Sequence, residues 1–131
     1  MRQLIYLASP YSSSDDRVRE GRFDAACYAT GALMRKGYVV FSPIAHSHPI
    51  AVRCGLPKGW EYWKQFDETF LSACSYLVVL QLPGWDVSEG VKAETLVADD
   101  LGLPTYYVLP EDIETFTLPG YDQRDYSDND E

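Results

Sequence analysis

Tyr76-Leu77-Val78-Val79-Leu80 carries an apolar or aromatic side chain at every position. Successive side chains of a strand point to opposite faces, so such a run cannot leave one face to water. It has to be covered on both sides, which favours a parallel sheet held between layers of helix. The rest of the chain supplies the other parts. Residues 3–8 read as a first strand, Tyr38-Val39-Val40-Phe41 as a second, residues 76–82 as a third and residues 104–109 as a fourth. A polar loop spans 9–16. A helix is predicted from about Asp16 to Lys36, with Phe23, Ala26, Cys27, Thr30, Leu33 and Met34 on one face and Gly37 as its stop. Residues 42–57, with Pro43, Pro49 and Pro57, read as a long loop. Two further helices are expected, from about Lys58 to Cys74 and from Ser88 to Leu101. The order β-α-β-α-β-α-β predicts one α/β domain over residues 1–109, a doubly wound parallel sheet with helices on both faces. Ligands of such sheets bind beyond the carboxyl ends of the strands, where the loops 9–16, 42–57 and 83–88 all lie.

Charge is unevenly spread. The formal net charge is −9, but residues 110–131 hold eight of the 20 acids and Arg124 as their one base. Acidity is therefore mainly a property of a C-terminal tail, expected to be ordered in part over Glu111–Tyr121 and mobile over Asp122–Glu131. A body without a basic face is not expected to bind nucleic acid. The run lengths predict no membrane-spanning segment and no leader. Three cysteines, Cys27, Cys54 and Cys74, are odd in number and form no CxxC pair, which fits reduced thiols and a cytoplasmic location.

The chemistry concentrates where the third strand passes into a helix, in Gly84-Trp85-Asp86-Val87-Ser88-Glu89-Gly90-Val91-Lys92-Ala93-Glu94. A helix start offers free N–H groups and the positive end of the macrodipole, and Ser88 and Gly90 sit there. Glu94 lies three residues after Val91 and four before Ala98, on the apolar face, where a carboxylate seldom lies without a role. Asp67 repeats the pattern on the preceding helix, four residues after Trp63 and four before Leu71. Two inward carboxylates on two helices should have perturbed protonation, as catalytic pairs do.

Tyr6-Leu7-Ala8-Ser9-Pro10-Tyr11, then Asp67 ahead of a strand, then Ser88-x-Gly90-x-x-x-Glu94 resemble in order and placement the nucleoside 2-deoxyribosyltransferase superfamily. That superfamily also includes 5′-monophosphate N-glycosidases, and the resemblance spans roughly residues 3–109. It implies a flavodoxin-like fold, a homo-oligomer, and cleavage of the bond between base and sugar without a cofactor. By that resemblance Glu94 is the nucleophile at C1′, Asp67 contacts the base or orients the substrate, and Tyr6 positions the glutamate. Residues near the C-terminus of one subunit can complete a neighbour's site in that superfamily. The transferases usually carry Asp where Ser88 stands, holding a free 5′-hydroxyl; the glycosidases carry Ser there, against a 5′-phosphate. A serine at a helix start donates to phosphate where an aspartate repels it. The expected partner is therefore a small nucleoside or nucleotide.

Each candidate also has a plain structural reading. Ser88 could serve only as a helix cap, or Asp86, itself a candidate substrate contact, could form a capping box with Glu89. Tyr6 and Tyr11 could be packing aromatics. His46 and His48 lack a third ligand at good spacing, so no metal is expected, and His46 remains a candidate substrate contact. Trp85 is the candidate to stack on a base. Ser9 and Tyr11, in the first ligand-end loop, are candidate substrate contacts, and Ser12, Ser13, Arg17 and Arg22 could assist a phosphate. Base exchange by a transferase and a non-catalytic nucleotide-binding module remain the alternatives to a hydrolase.

Overall fold

The computed structural model describes residues 3–121. Four strands, β1 (Ile5–Ala8), β2 (Val40–Phe41), β3 (Tyr76–Leu80) and β4 (Thr105–Val108), form one sheet in the order β2-β1-β3-β4. Every pairing is parallel, with Ile5 opposite Val40 and Tyr76, and Leu77 opposite Thr105. The helices are α1 (Asp16–Arg35), α2 (Pro43–Cys54), α3 (Trp60–Ser72) and α4 (Glu89–Leu101). The architecture is the doubly wound, flavodoxin-like α/β fold expected. Strand order reverses between β1 and β3, so the crevice beyond their carboxyl ends is the topological switch point.

The alternation of side chains sorts β1 and β3 between two cores. Ile5, Leu7, Val78 and Leu80 pack with Ala29, Ala32 and Leu33 of α1. Tyr6, Ala8, Leu77 and Val79 pack with Leu71 of α3 and with Val91 and Ala98 of α4. Both strands are buried at every position, as a sheet covered on both faces requires.

Local signals set the helix ends. The Asp15 carboxylate accepts from the Arg17 N–H at the start of α1, 2.9 Å away. Gly102 ends α4 in the left-handed conformation.

One expected loop is a helix. Ser42 caps α2, its hydroxyl accepting from the Ala45 N–H at 3.1 Å, Pro43 takes the first turn, and Gly55 closes the end at φ 66°. Ser-Pro and a later Gly mark a helix start and stop. Pro49 obscures them, because an interior proline forfeits one backbone hydrogen bond and reads as a breaker; here α2 runs through it.

Packing extends beyond residue 109. A 3₁₀ turn over Pro110–Thr115 leads to Ile113 and Leu118, both buried in the α1-side core. Tyr121 accepts a hydrogen bond from the Val39 N–H at 2.9 Å and donates to the Gln3 carbonyl at 3.1 Å. Glu111–Tyr121 is thus built into the body, while the mobility expected of Asp122–Glu131 concerns residues outside those described. Among the described residues no helix is long and apolar enough to cross a membrane, and the three cysteines are free thiols.

Candidate active site

The loops after β1 and β3, with α2 and α3, enclose a cavity of about 220 Å³ at the switch point. A single water requires only ~10–15 Å³ by the same kind of measure. Glu94 and Asp67 line it. Both are nearly sealed from solvent, at 4% and 7% exposure.

Behind Glu94 stands Tyr6, fully buried on β1, whose hydroxyl donates to Glu94 Oε2. Burial, then the neighbouring Glu94 and Asp67 carboxylates, push the Tyr6 hydroxyl well up, so it stays a donor. Burial also raises Glu94 from its ordinary 4.5 to about 8; the Tyr6 hydrogen bond opposes the rise and the charge of Asp67 adds to it. Asp67 is raised to about 7, by burial and then by Glu68. Burial thus keeps both carboxyls partly protonated near neutrality, with Asp67 adding to the rise of Glu94.

A second group of side chains forms a polar wall. Ser88 caps α4, accepting from the Val91 N–H at 3.2 Å, and also lines the cavity. It therefore has the structural role and faces the open space as well; Asp86 and Glu89 do not form the cap. Arg22 reaches across from α1, donating to the Ser12 carbonyl at 2.9 Å and the Pro83 carbonyl at 3.2 Å. Lys58 lines the cavity too. Among the described residues neither cation has a carboxylate within ion-pair distance. Ser9, 5% exposed, carries the one buried side-chain oxygen among them that lacks a hydrogen-bond partner, and it borders the same space. A buried hydroxyl left unpaired is costly unless a ligand or water completes it.

Gly90 borders the cavity as expected, but its missing side chain has a packing reason. A Cβ there would lie 3.3 Å from Cε3 of Trp60. Trp60 and Trp63 of α3 supply the aromatic wall. Trp85 instead turns away to pack on Tyr107, ring centroids 5.6 Å apart, and against the α3/α4-side core. Asp86 is exposed in the 3₁₀ turn Trp85–Val87, outside the cavity lining.

The histidine that reaches the cavity is His48. Its partner in sequence, His46, is exposed and rests on the rings of Phe41 and Phe70. The sequence points to His46 and the structure corrects this to His48, because on α2 the two, two residues apart, face different ways. His48 is buried, with Nδ1 2.5 Å from the Tyr11 hydroxyl and Nε2 2.8 Å from Glu20 Oε2. Tyr11, Ser9 and Ser12 line the cavity, whereas Arg17 is 92% exposed and pairs with Asp15. Among the described residues no three His, Cys, Asp or Glu side chains converge as a metal site.

A model of the family described as a domain of unknown function (DUF1937) matches residues 3–108. No curated protein matches the chain.

Proposed function

The chain belongs to the DUF1937 family, whose function is unknown, and we propose from the site itself that it hydrolyses the N-glycosidic bond of a nucleoside or deoxynucleoside 5′-monophosphate. One observation carries the reading: a buried glutamate held by a buried tyrosine lines the same cavity as a second buried carboxyl and two cationic side chains. Glu94 attacks C1′ as the base departs, and Asp67 in its protonated form gives the leaving base its proton. Tyr6 holds Oε2 in place and disperses charge on the carboxylate that leaves when the glycosyl ester breaks. Ser88, Arg22, Lys58 and the N–H groups at the start of α4 offer donors and positive charge for a phosphate. Trp60 and Trp63 offer flat apolar surface for the base.

The test is a panel of nucleosides and their 5′-monophosphates assayed for free base by chromatography. Base release is expected from at least one monophosphate, faster than from the matching nucleoside, and abolished in Glu94→Ala with the circular dichroism spectrum intact. Near-normal release by that variant would remove the mechanism. A second base in the mixture decides between hydrolase and transferase: only a transferase makes a new nucleoside.

A further inference from the structure

Tyr11, His48 and Glu20 come from three separate elements, the β1 loop, α2 and α1, and meet in a continuous line. The mechanism above uses none of them. Glu20 is a carboxylate and can only accept, so His48 Nε2 carries the hydrogen of the 2.8 Å contact. In the neutral ring Nδ1 is then an acceptor, and the Tyr11 hydroxyl donates to it across 2.5 Å. Tyr11 thereby gives its proton to His48 and keeps its oxygen free to accept one. The inner end of the line borders the cavity that holds Glu94. Its middle is buried, at 6% exposure, and its outer end, Glu20, is 59% exposed. A chain of acid–base groups running from the cavity to the outer surface through a buried imidazole has more order than packing requires. Phe23, ring centroid 4.5 Å from that of His48, helps hold the imidazole.

We propose that Glu20–His48–Tyr11 is a proton relay that activates water for the second half of the reaction, release of the sugar from Glu94. This rests on the glycosidase reading above. A water oxygen bonds to C1′ as the C1′–oxygen bond to Glu94 breaks, and Glu94 leaves as a carboxylate. The water proton passes to the Tyr11 oxygen while the Tyr11 proton passes to His48 Nδ1. The imidazolium is held by the Glu20 carboxylate and returns its extra proton to solvent. Burial raises the Tyr11 hydroxyl above its ordinary value, so Tyr11 hands a proton on and does not store a phenolate.

The test separates the two half-reactions. Wild type, Tyr11→Phe and Glu20→Gln are mixed with the best monophosphate of the panel. Base is followed by rapid quench, and the intact protein by mass spectrometry. Tyr11→Phe should release its first equivalent of base within about threefold of the wild-type rate. Its steady-state rate should fall by ~10²-fold or more, the usual contribution of a general base. A mass increase equal to the sugar phosphate should accumulate on the protein. Azide, a nucleophile with no proton to lose, should restore turnover in Tyr11→Phe and consume the adduct as the glycosyl azide. Glu20→Gln should show the same pattern more weakly. Equal loss in the first and later turnovers with no adduct, or no rescue by azide, would overturn the relay while leaving the glycosidase reading in place. No base release by wild type from any substrate would overturn both.

Discussion

At the scale of single residues, the proposed reaction makes the proton on the Glu94–Asp67 pair govern rate. Catalysis needs Glu94 ionised and Asp67 protonated, although Glu94, at about 8, binds its proton more tightly than Asp67, at about 7. The Tyr6 hydrogen bond favours the ionised form of Glu94. The expected pH profile of kcat/KM is a bell centred between about 7 and about 8, with two apparent values that belong to the pair. Asp67→Asn leaves Glu94 as the one titrating carboxyl of the pair, so the bell should collapse to a single rise with pH at a much lower plateau. A base limb that persists in this variant would show that it belongs to another group. Ser88→Ala should raise KM for a monophosphate more than for its nucleoside. Loss of one charge-assisted hydrogen bond costs ~1.5–3 kcal/mol, about ten- to a hundredfold. Equal effects on both substrates would leave Ser88 as a cap alone.

At the scale of elements, the connection from β3 to α4 rests on Gly84. Its φ of 96° is one that side chains rarely adopt, and a Cβ there would lie 2.6 Å from Nη2 of Arg22. Gly84→Ala should destabilise the fold by ~1–3 kcal/mol and displace the guanidinium from the Ser12 and Pro83 carbonyls. Urea unfolding and KM for a monophosphate measure the two effects; an unchanged KM would argue against Arg22 as part of the phosphate wall. The elements also show why only part of the site is legible in the sequence. Glu94 and Asp67 are legible because their helices are periodic, so phase alone puts a carboxylate among Val91 and Ala98, or one turn before Leu71. His48 is not, because its orientation depends on α2, and Pro49 disguises α2 as a loop. The aromatic wall is not legible either. Trp85 occupies a ligand-end loop, yet its direction is decided by Tyr107, on a strand twenty residues away in the chain. The relay depends on contacts 28 and 37 residues apart, which no local pattern records.

At the scale of the whole molecule, buried carboxyls set stability against pH. From about pH 4.5 to about 8 the folded chain keeps protons on Glu94 and Asp67 that the unfolded chain has lost. The unfolded state binds fewer protons, so stability falls as pH rises through that window and levels off above it. Glu94→Gln should resist urea better than wild type at pH 8.5, by on the order of a few kcal/mol, and equally at pH 4. Indistinguishable midpoints at pH 8.5 would mean that Glu94 ionises without penalty. The C-terminal segment belongs to the same balance. A chain ending at Tyr121 should fold, whereas one ending at Leu109 should lose its cooperative transition. The second truncation removes Ile113 and Leu118, each worth ~1.5–3 kcal/mol of burial, from a domain whose total margin is ~5–15 kcal/mol. A sharp urea transition in the shorter chain would place those residues outside the core's energetics. The bond from Tyr121 to the Gln3 carbonyl joins residues 118 apart, and this has a consequence in time. On a ribosome adding ~5–20 residues each second, the chain beside β1 waits roughly 6–24 s for the hydroxyl that completes it. That clasp can therefore close only after all four strands, the last ending at Val108, have been made.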